Sequence, residues 1–324
     1  MRIAITGASG SLGTALLTRL TQSGAERIVC FSRDEQKRAR IASEFGWHPG
    51  VRVFAGDVRD DDRLQDLFRD CEVVVHAAAR KVVTSHPDEA DEMLRTNVLG
   101  TRNVIEASRR AGVRKLLFIS SDKAVHAEGQ AYGISKALAE RLVISANARA
   151  HRDGLRLSVM RYGNCLGSNG SVLVKWRESS KEKIELSHVD MTRFWLTMEQ
   201  AVDFVVKAVD LLRGGEIFVP HIPAAKVSDL ATAILGRVPT FTITGIRRGG
   251  EKLHEQLLSA DETRRTLKWQ GFYVVPPDIA PDVIWDSSRW LGEPIDPATV
   301  YRSDVWPHRL SADEMRTLIG AARL

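Results

Sequence analysis

Short apolar runs alternate with amphipathic stretches through the first half of the chain. Ile3–Ile5, Ile28–Phe31, Val51–Phe54, Val73–Val75, Leu116–Ile119 and Leu155–Val159 have strand length and are rich in β-branched residues. Helical patterns lie between them, near 11–23, 34–45, 60–69, 88–111 and 131–150. Near-continuous apolar strands separated by helices predict an α/β fold, with a parallel sheet covered on both faces and right-handed crossovers. Ligands in such folds sit beyond the carboxyl ends of the strands. Gly7, Asp57, His76 and Ser120 to Lys123 all fall there.

The alternation breaks down after about residue 165. A helix is predicted over Met198–Leu212, with Ala201, Phe204, Val205, Ala208 and Leu212 spaced for one buried face. Gly214-Gly215 ends it, and a strand, Ile217–Val219, follows. Pro276-Pro277 and the prolines from Pro281 to Pro297 suggest an irregular wrap. A last helix over 311–323 opens with a capping box, Ser311 and Glu314. The expected organisation is a Rossmann-type doubly wound domain over 1–165, rejoined by about 196–222. A smaller, discontinuous α/β region over 166–324 would bind substrate.

Of 324 residues, 44% are hydrophobic and 27% charged, which is ordinary for a soluble globular protein. The net charge of +5 suits an anionic ligand, but the basic residues are scattered, which argues against nucleic acid. No apolar run approaches the ~20 residues of a membrane span. Cys30, Cys71 and Cys165 lack metal spacing and read as reduced core thiols, so a cytoplasmic protein without a metal site is expected.

Thr6 to Gly13 (Thr-Gly-Ala-Ser-Gly-Ser-Leu-Gly) is a glycine-rich turn between the first strand and the first helix. Such a turn lets backbone approach a pyrophosphate at a helix N-terminus, so Thr6, Gly7, Ser9, Gly10, Ser11, Leu12 and Gly13 are candidate dinucleotide contacts. An acidic residue at the end of the second strand would take the ribose hydroxyls of NAD. Here Ser32 and Arg33 come first, with Lys37 and Arg38 a turn later, a cluster able to hold the 2′-phosphate of NADP. Asp34 keeps NAD open as the alternative, and it can equally cap the following helix. Asp57-Val58 ends the third strand, where an aspartate accepts from adenine or caps the helix over 60–69. Ala77, Ala78 and Ala79 are small enough to let a cofactor cross the sheet edge. His76 reads as a packed strand-end residue.

Ser121, Asp122, Lys123, Tyr132 and Lys136 crowd a strand end and the next helix start. Tyr132 and Lys136 share a helix face, so the ammonium is expected to lower the phenol's pKa. Asp122-Lys123 adds a second acid and a second base. Two couples support more than one proton transfer, which a simple alcohol dehydrogenase does not need.

These features resemble the extended short-chain dehydrogenase/reductases, and within them the polysaccharide-biosynthesis group of inverting UDP-N-acetylglucosamine 4,6-dehydratases. The resemblance rests on Gly56-Asp-Val-Arg-Asp60, His76 to Lys81, Thr96-Asn-Val-Leu-Gly-Thr101, Ser121 to Val125 and Arg161-Tyr-Gly-Asn164. It continues through Met191-Thr-Arg-Phe194, Gly215 to Pro220 and Gly250 to Glu255. It implies that Tyr132, ionised with help from Lys136, deprotonates the sugar's C4 hydroxyl while hydride passes to NADP. Lys123, flanked by Lys136 and Lys81, would then be the C5 base, and Asp122 would protonate the departing C6 hydroxyl. Ser120 or Ser121 would polarise the C4 oxygen. Asn97 would order the helix near Lys136 through water, and Lys81 would touch cofactor or substrate. Asn164, Val172, Lys175, Arg193, Arg247 and Glu251 would contact the UDP-sugar. Buried Arg193 needs an anion, either a substrate phosphate or an internal carboxylate. His254 and Glu255 read as structural residues inside a helix. A homo-oligomer is expected by the same analogy.

Three departures from the group stand out. The loop from Lys123 to Tyr132 is one residue longer, Val82 to Glu89 lacks the usual valine-proline step, and Arg247-Arg-Gly-Gly-Glu251 has an extra residue and no proline. Ser121 also stands where threonine is usual. A variant dehydratase acting on another nucleotide sugar, a UDP-sugar 4-epimerase and a catalytically silent NADP-binding sensor therefore stand as alternatives.

Overall fold

The computed structural model describes residues 1–324 apart from 82–85, 169, 178–182, 248, 280–291 and 322–324. Most of the wrap expected from Pro281, and the Val82–Ser85 departure, lie outside the described residues.

The parallel part of the main sheet begins with β1 (Arg2–Thr6), β2 (Arg27–Ser32), β3 (Val51–Ala55), β4 (Val73–His76), β5 (Lys115–Ile119) and β6 (Arg156–Met160). The crossover helices are α1 (Ser11–Gln22), α2 (Glu35–Phe45), α3 (Asp61–Phe68), α4 (Glu89–Met93), α5 (Gly100–Arg110) and α6 (Ala131–Ala150). The chain runs outward from β1 to β3, then crosses back to β4, β5 and β6 on the other side of β1. The order reverses between β1 and β4, and the crevice above that switch point is where such sheets bind ligands. Alternate strand residues feed opposite faces: Leu116 and Phe118 enter one core, Leu117 and Ile119 the other. The helix predicted over 88–111 is not uniform. A π-helical stretch, Leu94–Leu99, separates α4 from α5 and carries Asn97; such wide turns occur often at functional sites.

The second half adds β7 (Asn164–Cys165), α7 (Val172–Arg177), β8 (Lys183–Leu186), β9 (Thr192–Leu196), α8 (Met198–Leu211), β10 (Ile217–Pro220) and β11 (Ala224–Lys226). It continues with α9 (Val227–Leu235), β12 (Thr240–Ile243), α10 (Ala260–Thr263), β13 (Leu267–Trp269), β14 (Phe272–Val275), β15 (Glu293–Pro294) and α11 (Ala312–Ala321). β10 pairs in parallel with β6, and β14, β13 and β15 extend the same sheet antiparallel, giving 10 strands among the described residues. The last three strands thus lie on the main sheet, although from sequence they fall in the smaller region. That smaller region holds a three-stranded sheet, β11-β9-β7, and a parallel pair, β12-β8. It packs a third core around Leu173, Ile184, Trp195, Leu230 and Met315. Among the described residues no helix is long and apolar enough to cross a membrane. None forms a His, Cys, Asp and Glu cluster able to hold a metal.

Candidate active site

The glycine turn lies against the end of β4. Gly7 has φ 68°, and a Cβ there would stand 2.7 Å from the backbone nitrogen of Ala78, so the turn fits only without a side chain. A Cβ on Gly13 would stand 2.4 Å from the Gly7 carbonyl oxygen. Helix α1 begins after Gly10 with no side-chain cap, so its positive N-terminal end opens at the glycine turn, where an anion is favoured. Thr6 Oγ1 accepts from the Ala78 N–H at 3.0 Å and meets His76 Nδ1 at 2.7 Å, while Thr101 takes the other ring nitrogen at 2.9 Å. Full burial pulls His76 down to about 3, so its imidazole is neutral and structural.

At the end of β2, Ser32 bonds Ser9 of the glycine turn at 2.8 Å. Asp34 is turned to its own helix: it caps α2 through the Lys37 N–H at 3.0 Å and pairs with the Lys37 ammonium at 3.3 Å. Arg38 donates to the Ser32 carbonyl at 2.9 Å, and half-exposed Arg33 lies 3.7 Å from Asp57. Asp57 is held by Arg59 at 2.8 Å. The cap of α3 is Asp60, which corrects the alternative that gave that place to Asp57. Val58 is buried beneath Gly100.

Tyr132 and Lys136 share one face of α6, but their electrostatics differ from expectation. Lys136 reaches back to donate to the Ile119 carbonyl, with its Nζ 4.0 Å from the centre of the Phe118 ring. Burial pulls this lysine down to about 7. Burial and the charge of Asp122 push the Tyr132 phenol up to about 12, against a smaller lowering by its bond to Ser121. The expectation that the ammonium lowers the phenol is therefore corrected: the Ile119 carbonyl takes the ammonium. Asn97 bonds the neighbouring backbone and helix α6. Its amide clamps the Arg80 backbone at 2.7 and 3.0 Å and donates to Ser135 Oγ at 2.9 Å, and Ser135 donates to the Tyr132 carbonyl at 2.8 Å.

Asp122 and Lys123 form one 3₁₀ turn beyond β5. The Asp122 carboxyl is fully buried, accepts from Ser121 Oγ at 2.8 Å and meets Lys123 Nζ at 2.9 Å. Desolvation raises its pKa, offset in part by Lys123. Lys123 also donates to Asn164 Oδ1 at 2.7 Å and pairs with Glu255 at 3.4 Å. Its surroundings are anionic, which corrects the expected flanking by Lys136 and Lys81; Lys81 faces Cys165 instead. Ser120 is buried, and its hydroxyl has no hydrogen-bond partner among the described residues.

Of the residues expected at the nucleotide end of a sugar substrate, Asn164 holds Lys123 instead. Arg193 is buried, and its guanidinium donates to the carbonyls of Thr192 at 2.7 Å, Lys252 at 2.9 Å and Leu253 at 3.1 Å, with Glu255 3.8 Å away. The anion that offsets its desolvation is thus internal. Arg247 is exposed and paired with Glu251. Val172 packs on the third core, and the side chain of Lys175 lies outside the described residues. Glu255, read from sequence as a structural helix residue, lies outside any helix and contacts Lys123; this is corrected, and with Lys252 it is a site residue that sequence missed. The demand of Arg193 for an anion was its one sequence signal.

A family model described as polysaccharide biosynthesis protein matches residues 3–277. The chain belongs to that family. Two Campylobacter jejuni relatives named UDP-N-acetylglucosamine 4,6-dehydratase (inverting) are similar to it. The serotype O:2 protein is 39% identical, covering 86% of this chain and 83% of its own length. The serotype O:23/36 protein is 36% identical, covering 98% and 96%. A Rickettsia bellii protein named UDP-glucose 4-epimerase is 35% identical, covering 85% and 82%. The crystal structure of Pen from Bacillus thuringiensis has a TM-score of 0.89 at 28% identity, covering 99% of this chain and 97% of that one. Streptomyces venezuelae DesIV, a dTDP-glucose 4,6-dehydratase solved with NAD bound, shares the fold with a TM-score of 0.65 at 20% identity, covering 78% and 86%.

Proposed function

We propose that this family member is a UDP-N-acetylglucosamine 4,6-dehydratase that inverts C5. The observation that carries the reading is the buried contact of Asp122 with Lys123, 2.9 Å long and next to Tyr132. An epimerase needs only the Tyr132–Lys136 couple and leaves this second one without a task. The relatives named as inverting dehydratases support the same choice.

The glycine turn from Gly7 to Gly13, the small Ala77–Ala79 edge and Asn97 fit a nicotinamide dinucleotide. Ser32, Arg33 and Arg38, with Asp34 turned to its own helix, favour NADP over NAD. A nicotinamide held there would supply the hydride chemistry, from C4 and back to C6. Tyr132 takes the C4 hydroxyl proton, and Ser121 orients that oxygen. The phenol ionises more easily once Asp122 is neutral, because the charge of Asp122 is one of the causes that raise it. A proton passed from Lys123 to Asp122 across their contact creates a base and an acid together, and burial favours neutral Asp122. The amine then takes the C5 proton, made acidic by the 4-ketone. Asp122 gives its proton to the C6 oxygen, the C6–O bond breaks, and water leaves. With hydride at C6, C5 takes a proton from solvent on the face opposite Lys123 while Tyr132 releases its proton to solvent. The couple is back in its ion pair, and the product is a 4-keto-6-deoxy hexosamine inverted at C5. Exposed Arg247 is the cation proposed for the diphosphate.

Exposed Leu94, Leu99, Ile134 and Leu138 on the neighbouring α4–α5 and α6 surfaces support pairing with a second copy. Three free cysteines suit a reducing compartment such as the cytoplasm. The test is incubation with UDP-N-acetylglucosamine in D2O followed by NMR. A 6-deoxy-4-keto product carrying deuterium at C5 is expected. Epimerisation at C4 alone, or no turnover of UDP-hexosamines, refutes the reading.

A further inference from the structure

Glu255 is 3% exposed and sits where three cationic side chains converge. Its carboxylate lies 3.4 Å from Lys123 Nζ, 3.6 Å from Lys252 Nζ and 3.8 Å from Arg193 Nε. Its backbone N–H donates to Ser303 Oγ at 2.9 Å. Each cation is anchored a second time: Lys123 by Asp122 and Asn164, Lys252 by the Val125 carbonyl, and Arg193 by three backbone carbonyls. Lys123 therefore joins two buried carboxylates, only one of which the proton transfers above use.

We propose that Glu255 is a positioning residue whose fixed negative charge sets the pH range over which the Asp122–Lys123 couple works. Its consequence for catalysis rests on the dehydratase reading. The charged groups facing Glu255 are Arg193 from β9, Lys252 from its own segment, and Asp122 and Lys123 from the turn after β5. Neighbouring His254 is turned to Thr192 and Asp304. Burial pushes the Glu255 carboxyl up, but Lys123, Arg193 and Lys252 together hold it below its ordinary value. A fixed anion beside two titrating groups raises the pH at which each loses its proton.

Glu255→Gln keeps the shape and removes the charge. Both limbs of the pH profile for dehydration are expected to move down by about 1–2 pH units, the usual effect of a charge within hydrogen-bonding range. Lys252→Met removes a cation from the other side of Glu255 and is expected to move the limbs up. Glu255→Asp is expected to keep the wild-type profile. Shifts of opposite sign separate a charge effect from loosened packing.

The experiment pairs these profiles, recorded with UDP-N-acetylglucosamine, with a ¹³C NMR titration of the lysine Cε signals, Lys123 being assigned from Lys123→Met. The titration needs no turnover, so a wild type inert towards UDP-N-acetylglucosamine sinks the functional reading while the charge role is still measured. A Lys123 midpoint that falls in Glu255→Gln and rises in Lys252→Met supports the proposal. A midpoint unmoved in Glu255→Gln, or displaced in the same direction in both variants, overturns it. If Glu255→Gln fails to fold, the Lys252→Met titration decides, and no upward movement there overturns the proposal.

Discussion

Replacing Lys136 with methionine is expected to stabilise the protein while abolishing its activity. The lysine is buried, its ammonium has one hydrogen-bond acceptor in the Ile119 carbonyl, and its value of about 7 lies far below the ordinary 10.5. At about 1.4 kcal/mol per pH unit, charging it in the folded state costs about 5 kcal/mol. The folded protein holds fewer protons than the unfolded chain between about 7 and 10.5. Stability therefore rises with pH across that window, and the cost is complete below it. Methionine removes the cost but leaves the Ile119 carbonyl bare, a loss of about 1 kcal/mol. A net gain of about 3–4 kcal/mol at pH 6 follows, vanishing by about pH 10. Urea unfolding of both proteins, followed by circular dichroism from pH 6 to 10, measures it. Dehydration by the variant should fall at least ~100-fold, the usual loss when an acid/base group is removed. A variant no more stable at pH 6, or one whose advantage persists at pH 10, would refute the reasoning.

Two other outcomes are expected. Arg161 is 3% exposed and ties α6 to α10 through Glu140 at 2.6 Å and Glu262 at 2.8 Å. Burial pushes Glu262 up, but Arg161 outweighs it and holds the carboxyl at about 2, so the pair contributes about 3 kcal/mol above the unfolded value. Glu262→Gln should lose that amount at pH 7 in urea unfolding, and its deficit should close as pH falls from about 4.5 towards 2. Arg33→Ser is expected to weaken NADP binding at least ~10-fold by calorimetry while leaving NAD binding unchanged, because only the 2′-phosphate needs the guanidinium.

The parallel half was legible because strands buried on both faces read as continuous apolar runs, and the helices between them carry their own caps, as Asp34 and Asp60 do. In the second half the helix from Met198, the strand at Ile217 and the capped last helix were legible, but the short strands of the smaller region were not. β9 is buried throughout yet contains Arg193, and β11 is only Ala224–Lys226, so neither shows strand alternation. In the site, Asp122, Lys123, Tyr132 and Lys136 could be found because they are close in sequence. Asn164 and Glu255 reach Lys123 from distant segments, and no local pattern announces that. Helical spacing placed Tyr132 and Lys136 on one face correctly, but it could not say that the lysine would reach the end of β5 instead of the phenol.

The division of labour between the two couples is tested most directly by Lys123→Ala given UDP-N-acetylglucosamine deuterated at C4. Tyr132 and Lys136 are intact, so deuteride should still leave C4 and reduced nicotinamide should accumulate, seen as absorbance at 340 nm, with no 6-deoxy product by NMR. Dehydration at the wild-type rate would show that Lys123 is not the C5 base, and loss of hydride transfer along with dehydration would show that the two couples do not divide the reaction as proposed.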